Sequence, residues 1–349
     1  MTLPRPPGSL GSIMALAIED YALIGDCETA ALVGRDGSID WLCWPRFDSD
    51  ACFAALVGTP DHGRWLIGPA DPAHARSTSR RYRGDSMILE TRFETPTGSV
   101  VVIDAMPPRD ANADLLRMVV CERGTVEMHT ELIIRFGYGV RVPWVSRLAD
   151  GGLRAIAGPD QLVLRTPVPL TGADHRTVGS FTMTEGQAVP FLLTYAASHL
   201  PAPAGVDPDA ALADTEAYWA EWASRSKCQS PEEHALVFRS LLVLKALTYA
   251  PTGGIVAAPT TSLPETLGGA RNWDYRFCWL RDATLSLLAL MNGGYYEEAT
   301  AWRDWLLRAV AGDQSQAQIM YGIAGERWLY ERVVEHLPGY EGAAPVRIG

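Results

Sequence analysis

The 349 residues are 47% hydrophobic and 20% charged, which supports two globular cores and excludes a disordered or fibrous chain. Acidic residues outnumber basic ones 41 to 30; without a Lys/Arg cluster to neutralise phosphates, the chain has no nucleic acid partner. Nowhere do about 18 apolar residues run together, the minimum for a spanning helix, so no membrane partner is expected.

At the N-terminus Pro4, Pro6, Pro7, Gly8 and Gly11 break any apolar stretch of secretory length. Residues 1–17 therefore read as a flexible tail of a cytoplasmic protein. From about Ala30 to Tyr195 the pattern has period two. It is clearest where Val126, Met128, Thr130, Leu132, Ile134 and Phe136 alternate with Glu127, His129, Glu131, Ile133 and Arg135, a strand with one buried face. Similar runs recur at Met87–Phe93, Val100–Asp104, Leu115–Glu122, Leu162–Arg165 and Phe191–Tyr195, separated by turns such as Gly34-Arg35-Asp36-Gly37 and Thr95-Pro96-Thr97-Gly98. Short strands without intervening helices predict an antiparallel β-sandwich over 18–205.

After Pro201-Ala202-Pro203-Ala204-Gly205 the period changes. Asp209–Arg225 reads as a linker helix within 206–229, its bulk coming from Leu212, Tyr218, Trp219 and Trp222. Ser230-Pro231-Glu232-Glu233 announces a second helix, with Ser230 as cap and Pro231 at the first helical position, running to about Tyr249. Only Lys245 is charged between Leu241 and Ala250, so neighbours must cover this helix on most sides. Helices at Asp282–Asn292 and Glu297–Val310, joined by Gly293-Gly294, predict an αα-hairpin. The second carries Trp302, Trp305, Leu306 and Ala309 on one stripe, a stripe that calls for more partners than this stretch supplies. A short helix is expected at Arg327–Glu335.

Six cysteines (Cys27, Cys43, Cys52, Cys121, Cys228 and Cys278) form no C-x-x-C and read as reduced, mostly buried thiols. Seven dispersed histidines offer no metal-binding spacing. The glycine pairs at 253–254 and 268–269 lack the rest of a phosphate-binding loop and read as turns.

The densest polar and aromatic stretch is Arg271-Asn272-Trp273-Asp274-Tyr275-Arg276-Phe277-Cys278-Trp279-Leu280-Arg281-Asp282. Aromatic faces stack on the C–H face of a pyranose, and Arg and Asp bond to vicinal hydroxyls, a combination suited to carbohydrate. The alternative is structural: Asp282 caps a helix starting at Ala283, Arg281 pairs with a neighbour, and the tryptophans are core. Composition alone does not choose between the two.

The opening Ile18-Glu19-Asp20-Tyr21-Ala22-Leu23-Ile24-Gly25-Asp26, followed by Gly34-Arg35-Asp36-Gly37-Ser38-Ile39-Asp40-Trp41-Leu42-Cys43-Trp44-Pro45-Arg46-Phe47-Asp48, resembles the N-terminal domain of bacterial members of glycoside hydrolase family 15, the glucoamylase-like and trehalase-like enzymes. Ala258-Pro259-Thr260-Thr261-Ser262-Leu263-Pro264-Glu265, Asn272-Trp273-Asp274-Tyr275-Arg276, Trp279-Leu280-Arg281-Asp282, Gln318-Ile319-Met320-Tyr321-Gly322-Ile323 and Gly325-Glu326-Arg327 are similar to successive motifs of that family's catalytic domain.

The resemblance implies a β-sandwich followed by the first helices of an (α/α)6 barrel over 230–349, with the barrel incomplete in this chain. It implies an inverting hydrolase of α-glucosidic bonds in trehalose, maltose or an α-glucan, with no cofactor. By the same resemblance, Arg281 and Asp282 bind hydroxyls of the nonreducing glucose, and Tyr275 and Trp279 wall the pocket.

Inverting chemistry needs two carboxyl groups held roughly 6.5–9.5 Å apart, and the resemblance places both beyond Gly349. Glu326 reads as a salt bridge or rim contact, Glu297 and Glu298 as a solvated first helical turn, and Glu265 as a loop residue. Two other readings stand beside hydrolysis: a sugar phosphorylase of similar architecture, and a fragment that binds sugar without cutting it. Apolar stripes left uncovered by an incomplete helical ring would favour a homo-oligomer.

Overall fold

A computed structural model describes residues 15–227, 231–312 and 314–349. Most of the tail expected at 1–17, Cys228 and the capping Ser230 lie outside these residues. Residues 15–17 are held rather than free: the Leu16 N–H donates to the Tyr21 hydroxyl, and the Leu16 carbonyl accepts from that of Tyr340.

The N-terminal part is predominantly β. Its first strands are β1 (Tyr21–Gly25), β2 (Ala30–Gly34), β3 (Ser38–Cys43), β4 (Ala51–Phe53) and β5 (Arg64–Pro69). Next come β6 (Ser79–Tyr82), β7 (Leu89–Thr95), β8 (Gly98–Ala105), β9 (Ala113–Ile133) and β10 (Trp144–Arg147). The series closes with β11 (Leu153–Ala157), β12 (Asp160–Arg165), β13 (Thr171–Ala173), β14 (Arg176–Thr184) and β15 (Ala188–Ala197). All pair antiparallel in the order β1-β2-β3-β5-β9-β15-β12-β11-β10, with the remaining strands branching from this path.

The two runs expected at Leu115–Glu122 and Val126–Phe136 are largely one strand, β9. Its first half pairs with β8 and β15, and its second half with β5 and β14. The change of partners falls at Gly124, where φ is +68° and a Cβ would stand 2.2 Å from the Thr97 carbonyl oxygen, a position that only glycine fills without strain. Beyond it the alternation holds as far as Leu132: Val126, Met128, Thr130 and Leu132 are buried, whereas from Leu132 to Phe136 every residue is buried, Ile133 and Arg135 included. Inward residues of both strand sets, among them Ile24, Trp65, Phe93, Val102, Leu115, Met128 and Phe191, form one apolar cluster.

The helical part begins with α1 (Pro208–Ser224), capped by the Asp207 carboxylate on the Ala210 N–H, and continues with α2 (Pro231–Ala246). Helix α2 stops short of the expected Tyr249, because Thr248–Tyr249 forms β16 against β17 (Gly254–Ile255). The segment Cys278–Trp279 is β18, followed by α3 (Leu280–Asn292), α4 (Tyr296–Ala309) and β19 (Met320–Tyr321). Gly294, at φ +93°, supplies the left-handed residue between α3 and α4.

The tryptophan stripe of α4 is better covered than its spacing suggested. Trp302 and Trp305 are buried, and the Trp305 indole N–H donates to the Ile323 carbonyl. Exposed apolar side chains lie elsewhere on the hairpin, at Leu285, Leu288, Met291 and Leu307.

The helix expected at Arg327–Glu335 is absent. There β20 (Arg332–Val333) pairs with β21 (Arg347–Ile348), and Val334, Leu337, Tyr340, Val346 and Ile348 pack with Trp41, Leu56 and Tyr138 of the β part. Pairing with a distant partner overrides a weak local preference. Cys27, Cys43, Cys52, Cys121 and Cys278 are buried free thiols. Among the described residues no helix is long and apolar enough to cross a membrane.

Candidate functional site

Three of the sequence motifs converge. The Ser262, Ala258 and Ala257 N–H groups donate to the carbonyls of Trp273, Tyr275 and Phe277, laying 257–262 beside 273–277. Strand β18 pairs with β19, bringing Met320 opposite Trp279.

Within Arg271–Asp282 the side chains then divide. Asn272, Asp274 and Arg276 are buried. Asn272 Nδ2 donates to the Ala343 and Pro345 carbonyls. Arg276 holds Asp274 in a two-point ion pair, Nε to Oδ1 at 2.9 Å and Nη2 to Oδ2 at 2.6 Å, and its Nη1 donates to the Ser49 carbonyl at 2.8 Å. The guanidinium carbon lies 5.9 Å from the Trp41 ring centroid and 5.4 Å from that of Tyr138. Its proton is held more firmly than usual: burial favours the neutral form, but the Asp274 carboxylate outweighs it. Trp273 is stacked by Arg347, with 4.9 Å from guanidinium carbon to ring centroid. Half of the stretch is therefore structural.

The other half opens outward. Tyr275 and Trp279 are half-buried, with ring centroids 5.5 Å apart, and the Trp279 indole N–H is anchored on the Asp274 carbonyl. Helix α3 starts at Leu280, so Asp282 stands inside its first turn rather than capping a helix that begins at Ala283. Arg281 Nη2 reaches Asp282 Oδ2 at 3.0 Å and Oδ1 at 3.3 Å, with side-chain exposures of 71% and 33%. Tyr275 and Trp279 thus form an aromatic pair, and Arg281 and Asp282 a paired donor and acceptor, the group types that bind a polyhydroxylated ring. Cavities lie elsewhere, among them one of about 470 Å3 between Tyr138 and His336 and one of about 420 Å3 between Arg83–Ser86 and Glu216.

The other acidic candidates are accounted for. Glu297 is exposed and pairs with Arg225. Glu298 is buried rather than solvated, accepting from the Trp222 indole at 2.7 Å and pairing with Lys245 at 3.0 Å. Glu265 pairs with Arg271 at 3.5 Å. Glu326 pairs with Arg46 at 3.0 Å, and although burial pushes its carboxyl up, backbone hydrogen bonding and Arg46 bring it below the ordinary value of 4.5. Such a group is a carboxylate near neutral pH, not a proton donor. Arg46 and its partner Asp48 went unassigned from sequence, where they belonged only to the opening signature.

Residues 231–349 match the family model described as glycosyl hydrolases family 15, and residues 10–179 match that of the trehalase-like N-terminal domain. Residues 231–349 belong to glycosyl hydrolases family 15. Trehalases of Mycolicibacterium smegmatis and Thermoplasma volcanium are 37% and 31% identical to it, each over 95% of this chain and 53% of their own length. The chain spans about half the length of the curated relatives it matches. A bacterial glucoamylase solved with acarbose superposes with a TM-score of 0.66 over 93% of this chain and 55% of its own, at 11% identity, so the chain has a glucoamylase-like fold.

Proposed function

We propose that this chain carries the nonreducing-glucose half of the substrate pocket of an inverting α-glucoside hydrolase, with trehalose as substrate. The observation that carries the reading is the outward-facing group of Tyr275, Trp279, Arg281 and Asp282, beside neighbours that serve the fold. Trp279 and Tyr275 stack on the C–H face of the ring; Arg281 donates to, and Asp282 accepts from, adjacent hydroxyls. The trehalase relatives favour trehalose over maltose or a longer glucan.

On the same reading 18–205 is an antiparallel β-sandwich, 206–229 a linker helix, and 230–349 contributes helices of an (α/α)6 barrel. The α3–α4 hairpin and the glucoamylase-like superposition support it. No carboxyl group among Glu265, Glu297, Glu298 and Glu326 is assigned as general acid or base, since each is engaged by a cation.

Titration of the chain with trehalose, glucose and cellobiose, followed by tryptophan fluorescence and calorimetry, tests the reading. Trehalose is expected to bind and the β-linked cellobiose is not. Asp282→Asn should weaken trehalose binding about 10- to 100-fold, since a hydrogen bond to a charged group contributes about 1.5–3 kcal/mol. Equal binding of cellobiose, or full affinity in Asp282→Asn and Trp279→Ala, would refute it.

A further inference from the structure

The loop 44–50 between β3 and β4 leaves the sheet and packs against the segment that bears Trp279. Phe47 is buried in the same apolar cluster as Tyr249, Cys278, Tyr321 and Ile323, and Arg276 holds the Ser49 carbonyl.

Arg46 does something further. It clasps Asp48 (Nε to Oδ1 2.9 Å, Nη2 to Oδ2 2.7 Å), reaches Glu326 Oε1 at 3.0 Å, and lies 5.7 Å from the Tyr249 ring centroid. Side-chain exposures of 31%, 13% and 43% for Arg46, Asp48 and Glu326 put the cluster at a rim rather than in the core. As a stabilising device an exposed pair of this kind contributes only about 0–1 kcal/mol.

Glu326 closes the turn that follows β19 directly, its Oε2 accepting from the Ala324 N–H at 2.9 Å. Strand β19 sets Met320 opposite Trp279 and Tyr321 opposite Cys278, so this turn begins two positions along the ladder from the partner of Trp279. Burial above all, and to a lesser degree the Asp48 and Glu326 carboxylates, push up the thiol of Cys278, the residue next to Trp279.

Gly322 bears on the same point. It does not have the left-handed φ that favours glycine, yet a Cβ there would meet Glu326 Oε2 at 2.2 Å and Glu326 Cβ at 2.9 Å. The absent side chain leaves room for the Glu326 carboxylate folded back over the turn.

We propose that Glu326, oriented by Arg46 from the β part, binds hydroxyls of the second glucose unit of an α-linked diglucoside, the unit adjoining the one stacked on Trp279. The inference rests on the reading of Tyr275, Trp279, Arg281 and Asp282 as the first sugar subsite. Glu326 is here a binding residue and Arg46 a positioning residue, and together they make the site prefer a disaccharide to a monosaccharide.

The experiment measures trehalose and glucose affinities of the full chain and of Arg46→Ala, Arg46→Lys, Glu326→Gln and Gly322→Ala, each with a melting curve. Gly322→Ala displaces the carboxylate without changing any charge. Trehalose affinity is expected to fall about tenfold in Arg46→Ala, Glu326→Gln and Gly322→Ala with glucose affinity changed less than about twofold, and Arg46→Lys should recover part of the loss. In Arg46→Ala, trehalose binding should also begin to fail at a higher pH than in the parent chain, because one of the groups that lower the Glu326 carboxyl, beside the backbone hydrogen bonds, is gone.

Equal losses for both sugars, or an unchanged ratio, would overturn the proposal. Melting temperatures within about 2 °C of the parent exclude a folding defect. If Trp279→Ala and Asp282→Asn keep full affinity, the subsite reading itself fails and this proposal falls with it. If those two lose binding while Arg46→Ala and Glu326→Gln keep the trehalose-to-glucose ratio, only this proposal falls.

Discussion

Between Arg271 and Asp282, side chains of the same chemical types are put to two uses, and burial decides which. Arg276 and Arg281 are five residues apart; one is sealed among Asp274, Trp41, Tyr138 and the Ser49 carbonyl, while the other is exposed beside Asp282. Their difference was not legible in the sequence, because what buries Arg276 comes from 41–49 and 138, far away along the chain. A sharp consequence attaches to Arg276. Its replacement by Ala strands the Asp274 carboxylate in the interior, and breaking a buried pair in this way costs about 3–5 kcal/mol. The denaturant midpoint of Arg276→Ala should drop accordingly, whereas Arg281→Ala should leave stability within about 0.5 kcal/mol.

Three helices meet at one carboxylate. Glu298 of α4 joins Trp222 of α1 and Lys245 of α2. Burial pushes its carboxyl up, but the charge of Lys245 and the hydrogen bonds from Trp222 and Lys245 outweigh burial, so its folded-state value lies below the ordinary 4.5. A carboxyl with a depressed folded-state value stabilises the fold above its unfolded value, and this contribution disappears as pH falls through the folded one. Glu298→Gln should therefore cost about 1–3 kcal/mol at pH 7 in urea unfolding. Relative to the parent, the gap should narrow below pH 4.5 and close as pH falls through the lower folded-state value.

The helices themselves were readable from their 3.6-residue spacing, with every end placed within three residues and two of them, Pro231 and Asn292, matched. Segment 327–335 was not: the partner that makes 332–333 a strand is 347–348, and local propensity carries no record of it. Strands such as β14, whose pattern is half exposed, were missed for a similar reason, since their alternation becomes distinct only beside β9.

At the scale of the molecule, the β and helical parts share side chains rather than merely abutting. Phe47 and Met87 enter the helical core, and the 334–348 segment returns to cover Trp41 and Tyr138. Unfolding should therefore be one cooperative event, with far-ultraviolet circular dichroism and tryptophan fluorescence tracing coincident transitions. Phe47→Ala, which empties an aromatic site at the junction, should lower the midpoint by about 3–5 kcal/mol. Separate transitions in the parent chain would contradict the shared core.

The sequence by itself determined the order of β then α, the family, and the stretch where polar and aromatic side chains gather. These are written in periodicity and in contiguous motifs, which need no partner to be read. Only the tertiary structure decided which of those side chains face outward, which carboxylates are bound by cations, and that Arg46 meets Glu326. Most of those depend on residues tens to hundreds of positions apart, and burial and electrostatics act through space, not along the chain.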